Sequence, residues 1–354
     1  MTGIHLSFRQ ALGRKGTNVL KLIASHCGHL KSLEVVGTIW DHPAGQWFIN
    51  VLNSCAKIKD ISIVRPSLVW GSADGGKDSL IIPLVKNGHA DKVKQLILGS
   101  DSLVDHEGPL NLLTQFTTLR ALRVRRNELT EDVLLHLTRN NLQSLSLFQD
   151  DEIPMGEHAV YTPDTWVSVL QSKPNFKLTL ILRNVVVLRS LFPANAPIRA
   201  LVLVDLSASL TKGILDTITQ YYHNTLEIFV YTKSCVIGCA EMEDRRLPMA
   251  LTDLVQHCQH LHTLVYGFEI SSTTTLLIAQ RRKLDNFAVL MDQISLEYDW
   301  TPRPEWTPQF VTWLRQSGST MDALEREVSQ LLGYEWKVIT ESNMAHFVGY
   351  FTNL

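Results

Sequence analysis

The sequence predicts an α/β solenoid, a horseshoe with short parallel strands on its concave face, helices outside and a helical cap at the C-terminal end. Three observations carry this expectation. In residues 119–147, LRALRVRRNELTEDVLLHLTRNNLQSLSL, Leu119, Leu122 and Val124 follow L-x-x-L-x-L. Asn127 and Leu129 continue the motif as N-x-L, a helical piece runs from Thr130 to about Thr138, and Leu142, Leu145 and Leu147 begin the pattern again. Three segments align without gaps, LIASHCGHLKSLEV, VLNSCAKIKDISI and LVQHCQHLHTLVY, which makes Cys27, Cys55 and Cys258 equivalent, each preceding its strand. Finally, the first apolar strand positions recur from residue 30 to residue 284 at an average of about 28 residues.

That motif and that period define a leucine-rich repeat. Each unit buries only one face and therefore needs neighbours, so the repeats must stack. Residues 1–300 are expected to hold about nine to ten irregular repeats, and residues 301–354 the helical cap.

The elements follow in chain order. Helices are predicted over residues 16–26, 45–54, 78–86, 130–138, 210–221, 248–257 and 273–282. Thr162-Pro163-Asp164 starts another, with a hydroxyl at the N-cap and proline at the first helical position. Weaker strand copies lie at Val93/Leu96/Leu98, Ile198/Leu201/Leu203, Leu226/Phe229/Tyr231 and Leu284/Phe287/Val289. In NFKLTLIL, residues 175–182, simple alternation and L-x-x-L-x-L choose opposite faces for Leu178 and Leu180. Polar insertions at 66–77, 150–162 and 233–247 read as surface loops. After about Thr301 the repeat is lost. Thr307-Pro308 starts a helix with Phe310, Trp313 and Leu314, and residues 321–332 form another, with Leu324, Val328 and Leu331 on one face. The many apolar side chains of this tail must dock, either on the open end after the last strand or, for the final twenty residues, on the apolar half of the concave face.

Composition narrows the function classes. At 354 residues, 45% hydrophobic and 19% charged, the chain can bury a large core. A net charge of −2, with both signs scattered, gives no field that would draw in nucleic acid or an acidic membrane. The sequence has no apolar run of 18 residues and no signal-peptide core at its start, so the expected location is cytoplasm or nucleus. The five cysteines fit reduced core thiols better than a disulfide framework.

Candidate chemistry is sparse. The run from Gly71 through Gly76, Lys77 and Asp78 approaches G-x-x-x-x-G-K-[ST], but Asp78 stands where a hydroxyl would meet magnesium and adds negative charge beside the phosphates. It reads as a glycine-rich loop. Cys235, Cys239, His257, Cys258, His260 and His262 could hold zinc by type, yet Cys258 already has a core role and the histidines echo His26 and His29. No catalytic, cofactor-binding or metal-binding residue is nominated.

What remains is the face formed by the alternate strand positions. Its N-terminal half is polar, with Ser32, Glu34, Asp60, Ser62 and Gln95, and includes Arg123, Arg125 and Phe148. The C-terminal half is apolar, with Val202, Ile228, Val230 and Val265. Those seven residues from Arg123 to Val265 are the candidate partner contacts, since apolar area of this kind marks a covered or contacted surface.

The cysteine-bearing repeats, the L-x-x-L-x-L strands and the N-E-L-T-E-D-V-L run resemble the repeat region of F-box proteins. The passage from Thr162-Pro163-Asp164-Thr165-Trp166 through Pro174, Phe192-Pro193 and Pro197-Ile198 is similar to F-box-only members with degenerate repeats. The resemblance implies a substrate receptor of a cullin-type ubiquitin ligase, in which an F-box holds the adaptor Skp1 and the repeats hold a protein substrate. No F-box is found before Leu22, so Skp1 and cullin are expected as partners only of a longer form. The alternative is a free-standing scaffold or inhibitor built of the same repeats.

Overall fold

The computed structural model describes residues 3–7, 14–36, 42–55, 57–64, 70–71, 77–78, 81–97, 110–126, 129–150, 161–185, 191–206, 209–233 and 247–351. The chain divides into two compact units, Met1–Phe148 with Met155–Lys177, and Gln149–Pro154 with Leu178–Leu354.

In the first unit β1 (Gly3–Ser7), α1 (Arg14–His26), β2 (Ser32–Val36), α2 (His42–Ser54) and β3 (Asp60–Val64) are followed by a small hairpin of β4 (Trp70–Gly71) and β5 (Lys77–Asp78). Then come α3 (Ile81–Lys86), β6 (Val93–Ile97), β7 (Ala121–Arg125), α4 (Glu131–Arg139), β8 (Ser144–Asp150) and α5 (Pro163–Ser172). Strands β1, β2, β3, β6, β7 and β8 pair in that order, each parallel to the last. This is what stacked strand–helix repeats require.

The leucine pattern explains the register. Leu33 lies opposite Ile61, Leu122 opposite Leu145, and Val124 opposite Leu147, so apolar side chains of successive repeats stack in rows and are buried. The cysteine junction is one repeated turn. Cys27, Cys55 and Cys258 each donate their N–H to the carbonyl four residues back and accept from the buried apolar residue two positions before the strand, Leu30, Ile58 and Leu261. Cys55 and Cys258 are fully buried, and Cys27 is half-buried. Helix starts are capped as their sequences predict, with Thr130 Oγ1 accepting from Val133 N–H and Thr162 Oγ1 from Thr165 N–H.

The second unit contains β9 (Lys177–Arg183) from Leu178 onward, β10 (Ile198–Val204), α6 (Lys212–Tyr222), β11 (Ile228–Thr232), α7 (Leu247–His257), β12 (Thr263–Tyr266), β13 (Ile270–Ser271), α8 (Ser272–Arg281), β14 (Asn286–Val289) and β15 (Ile294–Ser295). Here β9, β10, β11, β12 and β14 pair in order, again all parallel. The ambiguity in NFKLTLIL resolves in favour of alternation. Leu180 faces Leu201 and Leu182 faces Leu203, while an irregularity between Ile198 and Ala200 absorbs the extra residue of the partner's L-x-x-L.

After β15 come α9 (Pro308–Ser317), α10 (Met321–Leu332) and α11 (Glu341–Phe351). The buried apolar residues of α10 are Leu324, Val328 and Leu332, whereas Leu331, expected on that face, is half-buried. Residues 334–339 run beside β14. Phe287 N–H donates to Tyr334 Oη at 3.2 Å, Trp336 Nε1 donates to the Phe287 carbonyl at 2.7 Å, and Ile339 N–H donates to the Val289 carbonyl at 3.0 Å. Backbone groups on this side of β14 are therefore paired rather than left as a bare edge.

The short pairs β4–β5 and β13–β15 were not expected, and three larger elements also differ from expectation. The strand β1 precedes the first predicted repeat, with Ile4 and Leu6 as its only sequence signal. Helix α3 starts at Ile81 rather than at Asp78, which lies in β5. Helix α11 was not predicted, and its Met344 and Val348 are buried.

Candidate interaction surface

Strand alternation sends one set of side chains into the core beneath the helices and the other onto the opposite sheet face. In the first unit most of that second set is accessible, although Ile97, Ser146 and Phe148 are buried. Ser32, Glu34, Asp60, Ser62, Gln95, Ala121, Arg123, Arg125 and Ser144 are all half-buried, as backbone-fixed positions on an uncovered sheet would be. Part of the charge is internally matched. Asp60 pairs with Lys94, and Ser62 Oγ donates to Gln95 Oε1 at 3.1 Å. Farther along, the Arg123 guanidinium sits over the Phe148 ring, 5.6 Å from its centroid. Phe148 itself is only 8% exposed.

The second unit differs. Val202, Val230 and Val265 are 0% exposed, and Ala200, Thr263, Ala288 and Leu290 are buried with them. These positions were expected to form an apolar half of the partner face. They are covered by the chain itself and present nothing to a partner. Of the four apolar candidates in this unit, Ile228 alone is half-buried. The sequence signal was present, because β10 and β11 read IRALVLV and IFVYT, nearly continuous apolar runs typical of strands buried on both faces.

The other candidate chemistry separates. Trp70 and Gly71 pair antiparallel with Asp78 and Lys77, so Gly71 and Lys77 at the two ends of the glycine-rich run lie in paired strands, and Asp78 stands in a strand rather than at a helix start. Its residues 72–76 lie outside the described residues, as do Cys235 and Cys239. His257 Nδ1 lies 2.7 Å from the Asp253 carbonyl, and His262 Nδ1 lies 3.0 Å from Thr263 Oγ1. Among the described residues no three metal-binding side chains converge. Burial pushes the Cys258 thiol up to about 12, opposed by the Arg282 charge, which makes it a packing group rather than a thiolate ligand or nucleophile.

Sequence reasoning missed a polar network around α8. Its residues Ser272 to Ala279 are all buried; Thr275 Oγ1 donates to the Ser271 carbonyl, and the other hydroxyls are satisfied by the segment that follows β15. Ser271 Oγ donates to Asp299 Oδ1 at 2.6 Å, Ser272 Oγ to the Gly318 carbonyl at 2.9 Å, and Thr273 Oγ1 to the Glu297 carbonyl at 3.0 Å; Trp300 Nε1 donates to Thr274 Oγ1 at 2.8 Å. The run STTT, hydroxyls where an outer helix would carry charges, was the available signal.

No protein-family model matches the chain, and no curated protein matches it. Among solved structures it is similar to the leucine-rich repeat-containing protein LegL7 from Legionella pneumophila, at 11% identity and a TM-score of 0.40, covering 93% of this chain and 98% of that one. A sugar phosphate isomerase/epimerase from Parabacteroides distasonis matches at 12% identity and a TM-score of 0.21, covering 75% and 86%. Neither likeness says what this chain binds or does.

Proposed function

We propose that the chain is a non-catalytic protein-interaction module and that the strand face of its first unit holds a protein partner. One observation carries the reading: nine half-buried positions, mostly polar, lie side by side on parallel strands whose backbone positions are fixed by the sheet. A rigid, accessible and chemically varied surface suits recognition, because little ordering entropy is lost on binding. On this reading residues 301–354 cap the array.

The resemblance of the repeats to F-box proteins supports a narrower proposal. The module is the substrate-recognition part of an F-box protein in ubiquitin ligase-dependent degradation, working in cytoplasm or nucleus. Skp1 and cullin then join only through an F-box in a longer form. Affinity purification of the product encoded with its upstream sequence should retrieve Skp1 and cullin, and purified Skp1 should not bind this chain alone. Saturable binding at micromolar or lower concentration to residues 1–354 would defeat that division of labour. Absence of both proteins from the longer product would defeat the F-box assignment and leave a free-standing scaffold.

A further inference from the structure

One corner of the first unit's strand face is rich in hydrogen-bond donors. Register sets Arg123 opposite Ser146 and Arg125 opposite Phe148 on β7 and β8, and all four side chains lie on the face away from the buried Leu122, Val124, Leu145 and Leu147. Ser146 is 5% exposed, and the Nε of Arg125 is also buried. Among the described residues neither Ser146 Oγ nor Arg125 Nε has a hydrogen-bond partner.

The chemistry of these groups narrows what they can receive. An arginine Nε–H can only donate, and a serine hydroxyl both donates and accepts. A buried donor without an acceptor is destabilising, so an acceptor arriving here recovers that deficit on binding. Beside two guanidinium groups the favoured acceptor is an anionic oxygen, whose hydrogen bonds are shorter and stronger than neutral ones. Elsewhere on the face, Asp60 pairs with Lys94 and Ser62 is bonded to Gln95. The Phe148 ring lies beneath Arg123 and helps hold its guanidinium in place.

We propose that this corner binds the anionic side chain, a carboxylate or a phosphate, of a peptide segment laid across β7 and β8. Arg123 and Arg125 supply the charge, and Ser146 donates to one anionic oxygen. The inference rests on the reading that this face is the protein-binding surface.

The test uses the full chain and fluorescence anisotropy of short fluorescein-labelled glycine-serine peptides. One carries paired glutamates, one a phosphoserine, and one is neutral. At least one charged peptide should bind and the neutral one should not, and which charged peptide binds tighter identifies the source of the anion. Inorganic phosphate should compete with either. Arg123→Ala and Arg125→Ala should each weaken binding on the order of tenfold, and Arg125→Lys should fall between, because it keeps the charge and loses the planar fork. Lys94→Ala, elsewhere on the face, should leave binding unchanged. Ser146→Ala is the conservative variant with the least chance of unfolding the sheet, and it too should weaken binding while melting like the wild type. Equal binding of charged and neutral peptides, or wild-type affinity in a folded Arg123→Ala/Arg125→Ala protein, would overturn the proposal. If a protein partner instead bound wild type and the Arg125→Ala variant alike, the anion site would fall and the interaction module would stand. A partner contacting only the second unit, with the peptide results intact, would do the reverse.

Discussion

In the first unit the side chains between the buried strand positions include Ser32, Glu34, Asp60, Ser62 and Gln95, all half-buried, whereas the matching positions of the second unit are Ala200, Val202, Val230, Val265 and Ala288, all buried. Both units use the same parallel strand and the same leucine spacing. The difference lies in the residues that alternate with the leucines, and it decides whether a sheet face is a surface or a second core. A strand such as DISIV keeps its second face polar because water stays on it; IRALVLV can be placed only where both faces are covered. The proposed recognition surface therefore lies on the first unit, while the apolar face of the second contributes to its own stability through area removed from water.

The largest expected effect comes from removing residues 301–354. The deletion strips Tyr334, Trp336 and Ile339 from β14 and removes the Gly318 carbonyl that satisfies Ser272 in the buried helix α8. An open parallel edge and a buried helix left bare promote association. The truncated protein should aggregate and lose protection in 247–290 by hydrogen exchange, while residues 20–145 keep theirs. A soluble monomer with an unchanged melting temperature would show that the tail covers nothing essential.

A pair of matched substitutions tests the comparison directly. Val230→Asp places an unpaired charge at a site with no solvent access and should destabilise by about 3–5 kcal/mol. Ser144→Asp, on the second face of β8 in the first unit, should change stability by less than about 0.5 kcal/mol. Denaturant titrations of the two proteins decide it. Similar losses would mean that the faces are not different environments.

Much of this fold was legible because leucine-rich repeats write their register into the chain. L-x-x-L-x-L placed the strands, the shared cysteine fixed three helix-to-strand junctions, and Thr-Pro pairs marked the starts of α5 and α9. The misses have physical causes. Strand β1 is as long as β2 and β3 but lacks the cysteine junction that marks them, and α11 is set in a tail that is apolar ahead of it as well. The candidate surface was half legible. Alternation identified which residues leave the core, but accessibility depends on what lies above the sheet, so Val202, Val230 and Val265 were placed on the right face and given the wrong environment. Arg123 and Arg125 were found as charges, whereas the buried hydroxyl of Ser146 beside them becomes notable only once its surroundings are known.

The cysteine junction offers a smaller but cleaner contrast. Cys55 is fully buried, its Sγ donates to the Cys27 carbonyl at 3.3 Å, and burial raises its thiol pKa, with Cys27 adding to the rise. Cys55→Asp should cost roughly 3 kcal/mol or more, through a buried charge without a partner, and Cys55→Ala about 1 kcal/mol. Thiol labelling of the native protein should modify half-buried Cys27 well before Cys55 or Cys258. Labelling of Cys55 at the rate of an exposed thiol would remove the shared-junction assignment.

The mildest prediction concerns acid and again separates the units, because two titrating groups with displaced pKa values, His89 and Glu131, both lie in the first. His89 is 4% exposed, and one ring nitrogen, Nε2, lies 2.8 Å from Asn53 Oδ1, the contact of a neutral ring donating from Nε2. Burial, then the Lys92 charge, lowers its pKa below the usual histidine value, with Asp91 opposing. The folded state therefore resists a proton that the unfolded chain accepts. Stability is full above about pH 6.5, falls as pH drops toward the folded-state pKa, and levels off below it. Among the described residues buried Nδ1 has no acceptor, so protonation there adds an unsatisfied donor. Glu131 adds a second step in more acid solution. The Thr162 N–H bond, ahead of the Thr165 hydroxyl, holds its pKa below the ordinary carboxylate value despite partial burial, so its contribution is lost as pH falls below about 4. Urea melts followed by hydrogen exchange between pH 7.5 and 5 should show the first unit weakening before the second, and His89→Asn should flatten that slope. A wild-type first unit equally stable at both pH values would show that His89 accepts its proton as readily folded as unfolded.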